Sequence, residues 1–337
     1  MRISYKKATN TETVTIQQIY DLIKDDLKKV ESEFKKNLHS NIFLIRKMGE
    51  YILGSGGKRI RPLLVLLSSK LCNYKGESHV PFASIVEFIH TATLLHDDVV
   101  DEADMRRGNI SANEVWGNGA SVLVGDFLYS KSFYLMIEHG DMEILRVISK
   151  TTTQMSEGEI LQLLKSNDPD TTEDEYLEIL KSKTAMLMSA ACQIGAILGR
   201  VSKEKKEALA RFGLNIGMSF QLTDDCLDYT SSNDEFGKTV GNDLKEGKIT
   251  MPLIHLLRNS TPDEKENVIK MIGSHELDEE KLISVIDMIN KYGSVEYTMA
   301  KAKRYIDEAK SSLDIFEPSL EKSALLGFSE YVFERRF

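Results

Sequence analysis

The chain has 337 residues, of which 42% are hydrophobic and 28% charged, a balance typical of globular rather than disordered or fibrous proteins. A formal net charge of −9 without a compact basic stripe argues against nucleic-acid binding. The three cysteines form no C-x-x-C pair, which argues against a disulfide framework or zinc site and predicts a reducing, cytoplasmic environment.

Apolar residues recur at helical spacing, and no segment alternates convincingly with a period of two, so helices and no β-strands are predicted. No signal peptide or membrane-spanning segment is expected. We predict an all-α fold, a single large helical bundle over residues 15–337 with a central cavity, preceded by a polar tail of residues 1–14. The predicted helices span residues 15–36, 39–53, 60–72, 80–105, 111–116, 119–139, 141–165, 173–199, 203–230, 250–259, 262–272, 278–292, 294–312 and 318–335.

The first chemically distinctive segment is GSGGKRIRP, just before a predicted helix. Gly56 and Gly57 let the backbone approach an anion, and Lys58, Arg59 and Arg61 place three cations within four positions. No Walker A pattern is present. A plain basic turn is the alternative, but this density of charge favours phosphate binding.

The first acidic motif, HDDVVDEADMRRG, places Asp97, Asp98 and Asp101 in an otherwise apolar helical stretch. An unpaired carboxylate is costly to bury, so such residues need a charge partner. Because residues four apart share a helix face, Asp97 and Asp101 should point the same way.

The residues flanking this motif suit a phosphate ligand. Arg106 and Arg107 follow it, and a guanidinium pairs well with diphosphate oxygens, although two arginines could also simply complement a helix C-terminus. His90 lies seven residues before Asp97 on the same helical face, so a substrate contact is as good an interpretation as a core histidine. His96 points about 100° away from Asp97 and is given a structural role.

The second acidic motif, QLTDDCLD, repeats the D-D-x-x-D spacing with Asp224, Asp225 and Asp228. One isolated motif is a weak signal because most acidic helix turns are solvated, but two with apolar flanks are stronger. Facing each other, they would enclose a negative cavity, and all-oxygen ligands suit magnesium. Further polar residues that could complete a polyphosphate site are Lys183, Thr184, Gln221 and Lys238.

Seven segments resemble, in order, the trans-polyprenyl diphosphate synthase family, from about residue 40 to the C-terminus. They are GGKRIRP, FIHTATLLHDDVVDEADMRRG, VLVGDFL, EGEILQL, KTA, FQLTDDCLDY and GKTVGNDLKEGKITMPL. The likeness is greatest to the bacterial octaprenyl diphosphate synthases of quinone biosynthesis. It implies an all-helical prenyltransferase, usually a homodimer, which condenses isopentenyl diphosphate head to tail onto an allylic diphosphate such as farnesyl or geranyl diphosphate. A transient membrane contact would serve product release.

The resemblance also implies roles for individual residues. Asp97 and Asp101 would bind two magnesium ions and Asp224 would help to bind a third, making three ions per site. The acidic shell is completed by Asp98, Asp225 and Asp228. The allylic diphosphate would be held by Arg106, Lys183, Thr184, Gln221 and Lys238. Isopentenyl diphosphate would be held by Lys58, Arg61, His90 and Arg107. Arg335 and Arg336 are assigned no role.

Product length is expected to depend on the helix that carries Asp97. Thr93 and Ala92, about one turn earlier, are small, whereas short-chain members of the family have bulky residues there. A long product, octaprenyl diphosphate, is therefore expected. The floor of the product tunnel would be formed by Phe133, Met136 and Ile148.

Four alternatives remain open at this point. A medium-chain synthase, from geranylgeranyl to heptaprenyl, would differ only in product length. A class I terpene cyclase would not need GGKRIRP and the second acidic motif, and a non-catalytic synthase subunit would normally have lost aspartates. A plain helical scaffold would not explain why aspartates and cations occur together.

Overall fold

The computed structural model describes residues 14–230, 241–272 and 278–334. Within these ranges the chain forms sixteen α-helices, a π-helical turn at Lys181–Ala185 and a pair of two-residue strands. The strands are β1 (Met105–Arg106) and β2 (Asn109–Ile110). The helices are α1 (Ile16–Asn37), α2 (Phe43–Gly54), α3 (Ile60–Leu71), α4 (His79–Val100), α5 (Ala112–Trp116), α6 (Asn118–His139), α7 (Met142–Lys165), α8 (Glu173–Leu180), α9 (Met186–Leu198), α10 (Lys203–Thr230), α11 (Asn242–Lys245), α12 (Met251–Asn259), α13 (Pro262–Ile272), α14 (Glu279–Lys291), α15 (Ser294–Ser312) and α16 (Leu320–Phe333).

The all-α prediction is confirmed, with three local corrections. Helix α4 ends at Val100 rather than at residue 105, because the chain turns at Glu102 (φ 49°) and then forms the antiparallel pair β1–β2, which was not predicted. The predicted helix 173–199 contains the π-helical turn between α8 and α9. The four-residue α11 was missed because it is too short to show a period.

The centre of the bundle is built around α10, which packs against α9 and α15. Close approach depends on glycine at two helix crossings. A Cβ added at Gly195 of α9 would lie 2.5 Å from the backbone nitrogen of Ser69 in α3, and one at Gly217 of α10 would lie 2.4 Å from the Cα of Ala185. The second contact holds the π-helical turn against α10, one helical turn before Gln221.

The three cysteines lie in the core of this fold. Cys72, Cys192 and Cys226 are buried free thiols, and burial raises the pKa of each to about 12, so they are inert small core residues. No helix in residues 14–230, 241–272 and 278–334 is long and apolar enough to cross a membrane. Of the predicted tail, only Val14 is described, and its carbonyl lies against Gly327 of α16.

Candidate active site

The glycine-rich loop before α3 forms one wall of the site. Gly56 and Gly57 have φ values of 75° and 132°, and Arg59, the residue before α3, is also left-handed at 47°. The guanidinium of Arg107 lies directly on Gly57, where a Cβ would be 2.5 Å from Nη1, and donates to the carbonyl of Gly56. The loop and the β1–β2 turn are therefore packed together because glycine leaves room.

Two tyrosines from the ends of the chain hold Lys58 in this loop. The hydroxyl of Tyr20 in α1 donates to the backbone carbonyl of Lys58. The Lys58 ammonium lies 5.4 Å from the ring centroid of Tyr331 in α16, within cation–π range. Lys58 is thus positioned by both terminal helices, which sequence analysis did not predict.

A buried acid on α4 helps to balance the arginines of this wall. Glu87 of α4 is 5% exposed, and its Oε1 is 2.8 Å from Nη1 of Arg59. Burial lowers the pKa of Arg61 to about 10, and Glu87 opposes that shift. Arg61 Nε is buried without a hydrogen-bond partner among the described residues. This pairing leaves a cationic wall with spare donors, as an anion site requires.

His90 faces the same wall. Burial, and next the positive charges of Arg61 and Arg107, hold the pKa of His90 well below its ordinary value. The ring is therefore neutral near pH 7 and can donate or accept a hydrogen bond without adding charge.

The first acidic motif is linked to cations from other elements. Asp98 is 3% exposed and accepts from Arg106 Nε at 2.6 Å, so it fixes strand β1 against the end of α4. Asp101 Oδ2 accepts from Lys248 Nζ at 2.9 Å. Burial raises the pKa of Asp97 to about 6, although Lys183 opposes the shift. Two of the three acids are therefore engaged in ion pairs.

The π-helical turn brings the second motif into this arrangement. It carries Lys183, whose Nζ is 2.9 Å from Oε2 of Glu159 in α7, and Thr184, whose hydroxyl donates to Gln221 Oε1 at 3.2 Å. Gln221 in turn donates to Asp225 Oδ1 at 3.2 Å. π-Helical turns are frequent at functional sites because they redirect side chains within a helix.

Asp225 is the most deeply buried acid of the second motif, with 2% exposure. Burial, and next the charges of Asp243 and Asp228, raise its pKa well above the ordinary value. Its Oδ2 has no hydrogen-bond partner among the described residues. Once ionised, this carboxyl group offers a cation, or a water bound to one, an oxygen that no described residue occupies.

A cavity of about 110 Å³ lies where these elements meet. Lys248 lines it and also contacts Asp101, so the two acidic motifs border one region of the molecule. Polar groups are contributed to the cavity by α7, α10, α11, the π-helical turn and the segment after α11, among them Lys183, Thr184, Gln221, Asp225, Asp243 and Lys248.

The donor set fits magnesium brought in with a phosphate better than a dedicated metal cage. No three His, Cys, Asp or Glu side chains converge on one point in the described parts of the chain. Lysines lie between the acids instead, at Asp101 and near Asp97. Magnesium is usually held by one or two carboxylates plus substrate phosphates and waters, for which oxygen donors of this kind suffice.

The remaining predicted residues divide into three groups. His96 packs on Gly125 of α6 with Nε2 3.2 Å from the carbonyl of Val122, in keeping with a structural role. The proposed product-length residues lie at or beside the main apolar core, where Ala92, Met136 and Ile148 are buried and Thr93 and Phe133 are half-buried. Lys238, Arg335 and Arg336 lie outside the described residues.

Among the participants that sequence analysis missed are three charged residues, Glu87, Glu159 and Lys248. Glu87 had a signal, since it is a carboxylate within the apolar stripe of α4, one turn before His90. Glu159 and Lys248 lie inside two of the family motifs, EGEILQL and GKTVGNDLKEGKITMPL, but the sequence analysis assigns neither residue a role.

Comparison with known proteins gives a consistent result. A family model described as polyprenyl synthetase matches residues 43–289. The octaprenyl diphosphate synthase of Escherichia coli (strain K12) is 40% identical over 326 residues, covering 96% of this chain and 99% of that protein. Heptaprenyl diphosphate synthase component 2 of Bacillus subtilis (strain 168) is 34% identical over an alignment that covers 94% of this chain and 90% of that protein. A crystal structure of a polyprenyl synthase from Caulobacter crescentus CB15, complexed with calcium and isoprenyl diphosphate, has a TM-score of 0.92 at 37% identity. The match covers 97% of this chain and 99% of that one.

Because its pKa is raised, the ionised Asp97 carboxylate should lower the stability of the folded protein at neutral pH. Because the folded pKa of about 6 exceeds the ordinary value of 3.8, Asp97 lowers the free energy of unfolding as pH rises through that window. We expect Asp97→Asn to stabilise the metal-free protein by about 1–3 kcal/mol at pH 7.5, and by about half as much at pH 5. Urea unfolding in EDTA measures both values.

The exposed Asp104 provides the control, since Asp104→Asn should change stability little at either pH. An Asp97→Asn variant that is less stable than wild type at pH 7.5, or equally stabilised at both pH values, would contradict the assignment.

Proposed function

Because this chain belongs to the polyprenyl synthetase family and is a polyprenyl diphosphate synthase, a prenyltransferase, we propose that it makes a long product, octaprenyl diphosphate, for quinone side chains. Its substrates would be isopentenyl diphosphate and an allylic primer, farnesyl or geranyl diphosphate. The buried free thiols support a cytoplasmic location.

The observation that carries the proposal is the contact between the two halves of the site. Asp101 belongs to the first acidic motif and Lys248 to the segment after the second, and they meet at 2.9 Å beside the cavity. Acids and cations far apart in sequence are thus gathered at one point. A diphosphate with divalent cations matches this alternation of charge.

The residues divide between two diphosphates. The cationic wall of Lys58, Arg61 and Arg107, with neutral His90, would bind isopentenyl diphosphate. Lys183, Thr184 and Gln221 line the cavity and would bind the allylic diphosphate, with Arg106 and Lys238. Asp97, Asp101 and Asp224 would hold the magnesium ions, which when bound neutralise charge on the leaving group.

In the proposed reaction the allylic C–O bond ionises, and the double bond of isopentenyl diphosphate attacks the resulting carbocation. A proton then leaves, with the released diphosphate as its acceptor. The protein's cations stabilise the charge that develops on the diphosphate, and the two binding sites hold the reacting carbons in place. Water must be excluded, because it would otherwise capture the cation.

A long product is supported by the small, fully buried Ala92 on α4 and by relatives that include an octaprenyl synthase. The heptaprenyl relative shows that similar chains differ in product length. Octaprenyl is therefore our specific proposal within a long-chain class.

A homodimer is proposed from the outer face of α6. Leu123, Tyr134 and Ile137 are 69%, 55% and 65% exposed and share one face at helical spacing. Large exposed apolar side chains in such a stripe usually mark an interface, and a second copy would bury the same stripe symmetrically.

The function is tested with purified protein alone, radiolabelled isopentenyl diphosphate, farnesyl diphosphate and magnesium. We expect product formation that EDTA abolishes and a loss of about 10³-fold or more in Asp97→Ala and Asp224→Ala, since several kcal/mol of leaving-group stabilisation would be lost. Asp104→Ala should retain wild-type activity. Inactivity of the wild type until a second protein is added would show a subunit that needs a partner.

The two diphosphate sites should separate kinetically. Lys58→Ala and Arg61→Ala should raise KM for isopentenyl diphosphate by about tenfold or more, whereas Lys183→Ala and Lys238→Ala should affect the allylic substrate, because each removes a charge from one anion site. The exposed Lys150 gives a matched control, Lys150→Ala. Steady-state kinetics with each substrate varied in turn would refute the division if the pattern were reversed.

Product length should respond to the buried residues near α4. The packed core around position 92 has no spare volume for a tyrosine, so Ala92→Tyr should stop elongation at about three or four isoprene units. Met136→Ala should lengthen the product. Met48→Ala, an equal truncation elsewhere in the core, should leave length unchanged. Chromatographic sizing of products decides, and an unchanged length in Ala92→Tyr would place the tunnel elsewhere.

The dimer is tested by light scattering. Wild type should have twice the chain mass, and Leu123→Lys/Ile137→Lys should be a monomer at the same concentration, because two charges cannot be buried in the interface. Ile283→Lys, at another exposed apolar residue, should remain dimeric. A monomeric wild type would rule the interface out.

A further inference from the structure

Asp228, the last acid of the second motif, has an unusual set of contacts. Its Oδ1 accepts from the backbone N–H of Asn242 at 3.1 Å and its Oδ2 from that of Asp243 at 2.9 Å. Its own carbonyl accepts from the N–H of Gly241 at 2.8 Å. All three oxygens of Asp228 are thus engaged by consecutive backbone groups.

These donors are the N–H groups that begin α11. The first N–H groups of a helix have no partner within the helix and are usually capped by the side chain of the preceding residue. That residue is Gly241, which is left-handed (φ 76°) and makes no side-chain cap. Asp228, fourteen residues from Asn242, supplies the cap instead, and its charge suits the positive end of the helix.

The position of α11 matters because it fixes Lys248, which lies just beyond the end of this helix. The backbone N–H of Lys248 donates to the carbonyl of Asp243 at 2.8 Å, so Lys248 is tied to the first turn of α11. Lys248 Nζ lies 2.9 Å from Asp101 and 2.6 Å from Glu246. Burial alone would lower the pKa of Lys248, but Asp101 and Glu246 raise it, so the ammonium stays charged.

We propose that Asp228 is a positioning residue, a remote cap that fixes α11 and through it places Lys248 between the two acidic motifs, and that it does not bind metal. The two D-D-x-x-D motifs are therefore not equivalent. In the first, the last acid meets Lys248 directly, whereas in the second the last acid holds the segment from which Lys248 comes. The kinetic part of this inference rests on the proposed function; the structural part does not.

Hydrogen–deuterium exchange of the amides of residues 241–248 tests the cap without turnover. In Asp228→Ala these amides should exchange roughly tenfold faster than in wild type, as expected for the loss of a helix cap. Asp228→Asn keeps one acceptor oxygen and should stay within about threefold of wild type. Unchanged exchange in Asp228→Ala would overturn the cap, and Asp228→Asn preserves the test if the alanine variant does not fold.

Kinetics separate positioning from metal binding. Asp228→Ala should raise KM for the allylic diphosphate about tenfold and leave the magnesium concentration for half-maximal activity unchanged, and Asp228→Asn should restore KM. The double variant Asp228→Ala/Lys248→Ala should have the same KM for the allylic diphosphate as Lys248→Ala alone, because Asp228 acts through Lys248. A raised magnesium requirement in both Asp228 variants, or additive losses, would overturn the proposal. A wild type without prenyl transfer would refute the proposed function and leave the exchange result standing.

Discussion

Like charges concentrated in a protein interior are the constraint on which the remainder of this site depends. Burial raises the pKa of Asp97 and Asp225, so these acids are held at a cost that only nearby cations can offset. The cations come from separate elements: Arg106 from β1, Lys183 from the π-helical turn and Lys248 from beyond α11. Charge balance and tertiary fold therefore depend on each other, since displacing any of these elements would leave an acid without its counter-charge.

Most helices could be predicted from sequence because apolar residues recur at helical spacing over several turns, as Ile85, Phe88 and Ile89 do in α4. The path of the chain after α4 could not be predicted in this way. Its path depends on left-handed conformations at Glu102 and Arg107 and on the ion pair between Asp98 and Arg106, and neither feature produces a period. Capping by a residue remote in sequence, as for α11, is equally invisible to a local pattern.

In the site, too, the residues in local sequence patterns could be predicted, whereas those that depend on contacts between distant segments could not. The acids of α4 and α10 could be identified because their spacing alone fixes which helix face they share. Their partners could not, since Arg59 and Glu87 are 28 positions apart and Asp101 and Lys248 are 147 apart. Such pairs exist only once the helices have packed. The tyrosines that hold Lys58 are a further case, because they come from the first and last helices.

The π-helical turn limits how this protein can change during evolution. It interrupts α-helical geometry between α8 and α9 and brings Ala185 against Gly217 and Thr184 against Gln221. Removing one residue from Lys181–Ala185 would let the segment continue as a regular α-helix, but the side chains of the turn would lose the directions that the extra residue gives them. A single-codon deletion would therefore preserve a helix and still separate Thr184 from Gln221. Homologues should therefore keep the length of this turn.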